Sequence, residues 1–307
     1  MQVPRKIPID GVMTKADLPL VSVVCLCYNH SKYVVESIES VLSQTYENIE
    51  LIIVDDASTD DSQRVIHAFI GQIPKIKFIP LSQNIGNCRA FNIGWQASAG
   101  DYVIDLAADD ILLPQRISIG IERFLNAGSE YGVHFGDARI IDKNGILLRE
   151  HLTGSYFQAN VPEGILFSTL LTKYFINPAT MMFSKPLLDF LGGYDESLAY
   201  EDFDLWVRSS KEFKYCYSNR LLIAKRTLKG AHSGTQYKPG SKILKSTFRV
   251  CEKAFALCEN SQEYQALLIR IKYEMKMAIF SFNWVVAWRF NKLRKKTNNA
   301  QLANHKV

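Results

Sequence analysis

The first half of the chain alternates short, continuous apolar runs with segments in which apolar residues recur every three or four positions. A continuous apolar run is typical of a strand buried on both faces, whereas the spaced pattern is typical of an amphipathic helix. The apolar runs are VSVVCLCY (residues 21–28), IELIIVDD (49–56), IKFIPL (76–81) and DYVIDLAADD (101–110). Because helical segments separate them, this order predicts an α/β fold with a mostly parallel, twisted sheet and helices on both faces.

The second half mixes the two patterns. The segment VHFGDARIIDKNGILLRE predicts a hairpin that turns at Asn144 and Gly145. The segments PATMMFS and YCYSNRLLIAKR predict strands, and GGYDESLAYEDFDLWVRSS predicts a glycine turn, an acidic loop and a helix. From about residue 241 the pattern becomes helical and charged. We therefore expect an α/β domain over residues 1–235 and a helical region over residues 236–307.

Composition limits the class of protein. Hydrophobic residues make up 47% and charged residues 22%, which excludes wholesale disorder and a protein with many membrane spans. A net charge of +5 is compatible with nucleic acid, anionic lipid or phosphate-bearing substrates. The six cysteines lack zinc-ligand spacing and indicate a reducing compartment. No secretory signal is visible, and the longest apolar stretch, MAIFSFNWVVAW, is shorter than the ~20 residues of a spanning helix.

Polar residues follow the predicted parallel strands where each one ends. Ligands of such sheets bind beyond the carboxyl ends of the strands, which places residues 28–29, 55–56, 84–86 and 109–110 along one rim. The pair at 55–56 is compatible with a turn and helix cap, or with a carboxylate that accepts the N–H of a nucleobase. The pair at 109–110 is compatible with a helix cap, or with Mg²⁺ or Mn²⁺ clamping a diphosphate. Asp105 lies about 13 Å back along the strand, too far to share that metal.

A third acidic cluster, YEDFDLW, contains Glu201, Asp202 and Asp204. Acids at a helix N-terminus suit the helix macrodipole, which is one interpretation. The other is a general base for an incoming hydroxyl, because the aromatic neighbours Tyr200 and Trp206 would raise the pKa of a nearby carboxylate and stack on sugar.

Together these segments resemble the family 2 glycosyltransferases, which have the GT-A fold and include enzymes of bacterial-type cell-surface glycan biosynthesis. The resemblance covers roughly two thirds of the chain, from about residue 21 to residue 233. It is carried by VSVVCLCYNHSKYVVESIESVLSQTYENIELIIVDDASTD, NIGNCRAFNIGWQASAGDYVIDLAADDILLP, GGYDESLAYEDFDLWVR and GAHSG, in that order and spacing.

The resemblance implies roles for individual residues. Asp202 matches the general base, and Asp109 matches the carboxylate that binds the diphosphate-bridging metal, with Asp110 as its helper. His232 matches a histidine that approaches the diphosphate or metal in some members, and an ordinary loop histidine is the alternative. The residues implied in nucleotide binding are Cys27, Tyr28 and Asn29 around the base, Asp56 as its partner with Asp55 beside it, and Asn84 and Gly86 in the facing loop.

Three positions depart from the family pattern. Leu26 replaces a proline, and Phe91 stands where an arginine is usual, with Arg89 two residues earlier. Ala107 replaces the first aspartate of the family's DxD motif. Its loss predicts weaker donor binding or reliance on Asp110, but leaves the metal ligand in place.

The C-terminal segment YEMKMAIFSFNWVVAWRFNKLRKK combines an aromatic helical face with a basic cluster. Such a helix is suited to an anionic membrane surface, and the alternative is an aromatic stripe packed on the preceding domain.

We therefore expect a metal-dependent (Mn²⁺ or Mg²⁺), inverting hexosyltransferase. It would act at the cytoplasmic face of the plasma membrane, as a peripheral protein, on a UDP-sugar and a glycan or lipid-linked acceptor. A nucleotide-sugar-binding protein without catalysis is the first alternative, because of Ala107. A nucleotidyltransferase needs a glycine-rich loop after the first strand, and CYNHSKY has no glycine. Nucleic-acid binding would depend on the basic tail alone.

Overall fold

The computed structural model describes residues 18–71, 73, 75–158, 160–228 and 236–304. Within these residues the chain forms nine strands and ten α-helices. The strands are β1 (Val21–Cys27), β2 (Ile49–Asp55), β3 (Lys77–Pro80), β4 (Tyr102–Ala107), β5 (Ile111–Leu112), β6 (Tyr131–Ile141), β7 (Leu147–His151), β8 (Met182–Ser184) and β9 (Lys214–Arg226). The helices are α1 (Val34–Leu42), α2 (Ser62–Ile70), α3 (Asn87–Gln96), α4 (Arg116–Ala127), α5 (Phe167–Thr172), α6 (Lys185–Leu191), α7 (Asp202–Ser209), α8 (Lys242–Leu257), α9 (Ser261–Phe280) and α10 (Trp284–Asn304).

One sheet runs through the α/β part, in the order β3-β2-β1-β4-β8-β6-β9-β5, with β7 paired to β6. The first four strands are parallel neighbours, as the alternating pattern predicts. Strand β8 lies antiparallel between β4 and β6, while β6 and β9 are parallel and β5 is antiparallel to β9. The sheet is therefore mixed, with a parallel half formed by the first third of the chain. The predicted hairpin is confirmed, since β6 and β7 are antiparallel and Gly145 has a φ of 84° in their turn.

Strand β4 is shorter than its apolar run suggests. It ends at Ala107, and residues 108–109 form a turn before the short strand β5. Asp109 therefore does not continue the strand alternation of Asp105 and Ala107, as a regular strand would require. Helix α4 begins only at Arg116, so Asp110 is not its cap.

Helices cover both faces of the parallel half, as predicted. One face packs on α1 and α4 through residues such as Val23 and Ile53, and the other packs on α3 through Val24 and Ile52. Helix α3 approaches β1 and β2 closely at Gly94, where even a methyl group would collide with the side chains beneath.

The C-terminal helices pack against the α/β part. Helix α8 contacts α7, and α9 contacts α5. The buried Arg270 of α9 donates from Nε to the Leu171 carbonyl at 2.8 Å and from Nη1 to Glu274 at 3.2 Å, and its guanidinium lies 4.4 Å from the centroid of the Tyr174 ring.

The aromatic stripe of this region divides into two sets. One set faces the interior and includes the fully buried Phe290. The other is exposed around the turn between α9 and α10, together with Val285: Phe280, Phe282, Trp284 and Trp288. In the described part of the chain, no helix is both long enough and apolar enough to cross a bilayer.

Candidate active site

The carboxyl ends of β1, β2 and β4 meet at one edge of the sheet. Cys27 lies in register with Asp55, and Leu26 with Ala107. Backbone hydrogen bonds extend this register past the strand ends: Asp56 N donates to the Cys27 carbonyl at 2.8 Å, and Ala108 N donates to the Leu26 carbonyl at 2.9 Å. The predicted rim residues on these three strands are therefore neighbours in space.

The two aspartates after β2 have different surroundings. Asp55 is fully buried and accepts hydrogen bonds from Ser58 N (2.9 Å), Ser58 Oγ (2.5 Å) and Gln63 Nε2 (2.7 Å), which hold the following turn. Asp56 accepts from Ile85 N at 2.7 Å and Gly86 N at 2.9 Å, one on each oxygen. Each of its oxygens keeps a second acceptor position. Asp56 thus orients the facing loop and retains the capacity to accept a further N–H.

Hydrogen bonds to neighbouring loops hold the loop residues of the rim in place. Asn29 has a φ of 59°, and its Oδ1 accepts from Thr59 N at 2.8 Å. Asn84 donates from Nδ2 to the Asp56 carbonyl at 3.3 Å. The Tyr28 side chain is 44% exposed, so its ring is available for stacking on a planar ligand. The Cys27 side chain is buried, so only its backbone lies at the rim, and this burial raises the pKa of its thiol to about 12.

Asp109 lies in the turn after β4, opposite a histidine that sequence analysis overlooked. Its Oδ1 is 3.8 Å from Nδ1 of His30, and that buried nitrogen has no hydrogen-bond partner. A carboxylate and an unpaired imidazole nitrogen at this separation are suited to a divalent cation that takes its remaining ligands from substrate phosphates and water. Among the described residues, no three acidic, histidine or cysteine side chains converge to hold a metal by themselves. His232 lies outside the described residues.

Asp110 turns away from the rim. Its carboxylate is buried and accepts the Arg226 N–H of β9 at 2.8 Å. The Arg226 side chain donates to the carbonyls of Asp109 (2.9 Å) and Asp142 (3.2 Å) and to the Glu36 carboxylate (2.6 Å). Burial, and then the neighbouring Asp109, raise the pKa of Asp110 to about 7. This placement favours a structural role for Asp110 over the predicted contact with a ligand.

The acidic loop places two partly exposed carboxylates, Glu201 and Asp202, at the start of α7. We call the surface between them, the rim and the exposed end of β4 the cleft. Asp202 accepts the Phe203 N–H at 2.7 Å, and burial, followed by the charge of Glu201, raises its pKa to about 7. Glu201 accepts from Nδ2 of Asn87 at 2.9 Å, a link between α3 and α7 across 114 residues. Asp204 is instead paired with Arg208 and Lys253 in the interior. A carboxylate that titrates near neutrality is suited to accept a proton from a substrate hydroxyl.

The positions that depart from the family pattern have different surroundings. Ala107 is exposed at the end of β4. Phe91 is fully buried and stacks on Tyr194 with their ring centroids 4.2 Å apart, so it belongs to the hydrophobic core. Arg89 is paired with Glu196 at 3.2 Å on the surface. Tyr194 donates its hydroxyl to Oδ2 of Asp105 at 3.0 Å, a contact that sequence analysis did not predict.

Comparison with known sequences gives consistent matches. The model of the family described as glycosyl transferase family 2 matches residues 22–189. An uncharacterized glycosyltransferase of Methanocaldococcus jannaschii is 31% identical over 68% of this chain and 71% of that protein. The chondroitin synthase of Escherichia coli is 30% identical over 68% of this chain but only 30% of its own length.

Solved structures share the fold at lower identity. S. aureus TarS 1–349 in complex with UDP has a TM-score of 0.62 at 16% identity, covering 82% of this chain and 70% of that one. The mannosyltransferase PcManGT from Pyrobaculum calidifontis, in complex with GDP-Man and Mn²⁺, has a TM-score of 0.59 at 15% identity, covering 98% and 88%.

Proposed function

The chain belongs to glycosyl transferase family 2 and has the α/β GT-A fold, with C-terminal helices added to it, and from this premise we propose a specific reaction for it. The enzyme transfers a sugar from a UDP-sugar to a hydroxyl of a glycan or lipid-linked glycan, with inversion at the anomeric carbon. The observation that carries this proposal is the hydrogen bond from Asn87 to Glu201, which joins the loop held by Asp56 to the segment of Asp202, a carboxylate of raised pKa. The UDP complex of a structural neighbour supports the choice of donor.

The residues divide the reaction between binding and proton transfer. The Asp202 carboxylate takes the proton of the acceptor hydroxyl, whose oxygen then forms a bond to the anomeric carbon as the bond to the diphosphate oxygen breaks. One displacement at one carbon inverts its configuration. Glu201, held by Asn87, keeps negative charge beside Asp202 and so favours proton uptake.

The donor lies along the rim in this proposal. Tyr28 stacks on the base, Asp56 accepts its N–H, and the loop held by Asp56 closes over it. A Mn²⁺ or Mg²⁺ ion held by Asp109, with His30 beside it, would neutralise charge on the departing diphosphate. Mn²⁺ in the complex of one neighbour supports a metal of this kind.

We also propose that the enzyme works at the cytoplasmic face of the plasma membrane. The exposed aromatic turn between α9 and α10 projects Phe282 and Trp284, with exposed fractions of 70% and 60%. Basic side chains line the groove beside it on α10, namely Arg289, Lys292 and Lys296. Aromatic rings beside cations suit an anionic bilayer surface, where a lipid-linked acceptor would also be found.

Two measurements test the reaction. Nucleotide-sugars are screened by thermal shift with and without Mn²⁺, because a ligand that binds only the folded state raises Tm. The sugar that binds is then used in transfer assays with wild type, Asp202→Asn and the exposed control Asp189→Asn. We expect Asp202→Asn to lose about 10²–10⁴-fold in kcat with Tm unchanged, and the control to match wild type. Near wild-type turnover in Asp202→Asn would refute the mechanism.

A second candidate function follows from Ala107, since the usual carboxylate is missing there. It is donor binding without catalysis. Tight nucleotide-sugar binding without transfer or hydrolysis, across a panel of glycan acceptors, would favour it over the enzyme.

A further inference from the structure

Asp105 occupies an unusual place for a carboxylate. It lies in β4, a central strand, on the same face as Val103, which is completely buried beneath the helices. Two residues further along that face Asp105 is partly exposed, and Ala107 is exposed. The helical layer therefore opens over the last part of β4, and Asp105 is the polar group on the floor of the opening.

The partner of Asp105 is held rigidly. Tyr194 donates its hydroxyl to Asp105 Oδ2 at 3.0 Å while its ring stacks on Phe91. The Tyr194 backbone is bonded twice to one side chain, since its N–H donates to Asn92 Oδ1 at 2.8 Å and its carbonyl accepts from Asn92 Nδ2 at 2.9 Å. Gly193, with a φ of 79°, allows the chain to reach this position. Tyr194 thus fixes the direction of the carboxyl group.

The other oxygen of Asp105 has unused bonding capacity. In the part of the chain that the structure describes, no donor reaches Oδ1, and no cation lies close to the group. Burial first, and then Glu201, raise the pKa of Asp105 to about 8. Near neutral pH the group is therefore largely a neutral carboxyl, with an O–H to donate and a carbonyl oxygen to accept. Because Asp105 is partly exposed and only its Oδ2 is bonded to the protein, a ligand hydroxyl can take the place of water at Oδ1.

The position of the opening indicates which part of a ligand would complete it. The nucleotide contacts, Tyr28 and Asp56, lie beyond β1 and β2, and the loop that Asp56 holds leads to Asn87, which is bonded to Glu201 beside Asp202. Asp105 of β4 is close enough to Glu201 for that charge to act on it. The transferred sugar has to lie between the diphosphate and the base that activates the acceptor, hence over the end of β4. The small side chain of Ala107 leaves access from that position down to Asp105.

We propose that Asp105, positioned by Tyr194, hydrogen-bonds a hydroxyl of the transferred sugar and thereby selects among nucleotide-sugars. This inference rests on the proposed function, because it assigns the sugar subsite of the same cleft. It predicts that the contact contributes to binding of the sugar and contributes nothing to binding of the nucleotide.

The test compares two dissociation constants for each variant, measured by titration calorimetry at pH 7. The probes are the nucleotide-sugar that wild type binds best and the corresponding nucleoside diphosphate, both with Mn²⁺. We expect Asp105→Leu to weaken the nucleotide-sugar at least about tenfold and the diphosphate less than twofold. Tyr194→Phe, which keeps the ring stack, should weaken the nucleotide-sugar about threefold. Asp105→Asn, which keeps hydrogen-bonding atoms, should retain binding and change the order of preference among sugars.

The control is Asp101→Asn, which neutralises a carboxylate just before the same strand, where it accepts the Leu20 N–H away from the cleft. It should leave both constants unchanged. Equal affinity of wild type and Asp105→Leu for the nucleotide-sugar would overturn the inference, as would equal weakening of both ligands, which is what a structural role produces. Failure of wild type to bind any nucleotide or nucleotide-sugar would instead refute the proposed function itself.

Discussion

The cleft contains two partly exposed carboxyl groups, Asp105 and Asp202, whose pKa values are raised mainly by burial and then by the charge of Glu201. Each is therefore partly or largely protonated near neutral pH, but for different uses. As the proposed base, Asp202 has to lose its own proton before it can accept one from the acceptor hydroxyl. In the proposed sugar subsite, Asp105 is used as a neutral hydrogen-bonding group. The same low-dielectric surroundings, with Glu201 acting on both groups, are thus compatible with the proposed base and the proposed recognition group.

The proposed role of Asp202 predicts how transfer depends on pH. Because its pKa is raised to about 7, the fraction of Asp202 that is ionised increases as pH rises from 6 to 8. We expect kcat to rise about tenfold per pH unit below pH 7 and to level off above it. Transfer rates measured with saturating donor and acceptor between pH 5.5 and 9 give this rising limb of the pH profile.

Glu201→Gln provides the comparison. Removing its charge should lower the pKa of Asp202 and shift the rising limb to lower pH, because the repulsion that favours the protonated form is gone. A limb that stays in place in Glu201→Gln would contradict the assignment of that limb to Asp202.

At the scale of elements, continuous apolar runs were sufficient to predict β1 to β4 and their parallel order. The apolar runs overestimated the length of β4, because the sequence of apolar and acidic residues does not show where backbone pairing ends. They also missed β5, because its two residues are too few to show the alternation of a strand. The pairs that shape the site escaped detection because they join distant positions: Asn87 to Glu201, Tyr194 to Asp105, and Arg226 to Asp110. Local patterns placed the rim aspartates but could not separate their roles.

Packing of α3 on the sheet depends on the absence of a side chain at Gly94. A Cβ there would lie 2.9 Å from Val54 Cγ2 and closer still to Val24 Cγ1. We expect Gly94→Ala to lower the free energy of unfolding by about 1–3 kcal/mol, because the helix has to move away from β1 and β2. Urea unfolding followed by circular dichroism measures the change.

Gly71→Ala is the matched control. Gly71 ends α2 with a φ of −54°, and an added Cβ would meet only backbone oxygens, the nearest at 3.3 Å. Its effect should be near zero or slightly stabilising, since alanine restricts the unfolded chain. Equal stability of the two variants would show that α3 is not closely packed at residue 94.

At the scale of the whole molecule, the C-terminal helices connect the exposed aromatic turn to the cleft side of the fold. Asn283 in that turn donates to the Lys238 carbonyl at 2.9 Å and accepts the Gly240 N–H at 2.9 Å, just before α8 begins. Thr247 of α8 is within 2.8 Å of the Tyr200 hydroxyl, two residues before Asp202. The proposed membrane surface and the proposed base therefore belong to one packed layer.

Vesicle binding tests the membrane proposal. We expect the chain to co-sediment with vesicles containing anionic phosphatidylglycerol more strongly than with pure phosphatidylcholine, and this binding to weaken at high salt. The double variant Phe282→Ser/Trp284→Ser should reduce it at least about tenfold, because both rings are exposed at the turn. Phe190→Ser, an exposed aromatic on α6, is the control. Unchanged sedimentation of the double variant would exclude this turn as the attachment site.

The contacts of Arg226 affect the order in which parts of the chain reach their folded structure. The turn that presents Asp109 is completed by an arginine 117 positions later, and the same side chain reaches Glu36 across 190 positions. Contacts between such distant parts of a chain close slowly, because the entropy of a long loop is lost before they form. The turn that presents Asp109 should therefore acquire its final shape only when β9 docks. Catalytic competence should accordingly be among the last properties that a refolding chain regains.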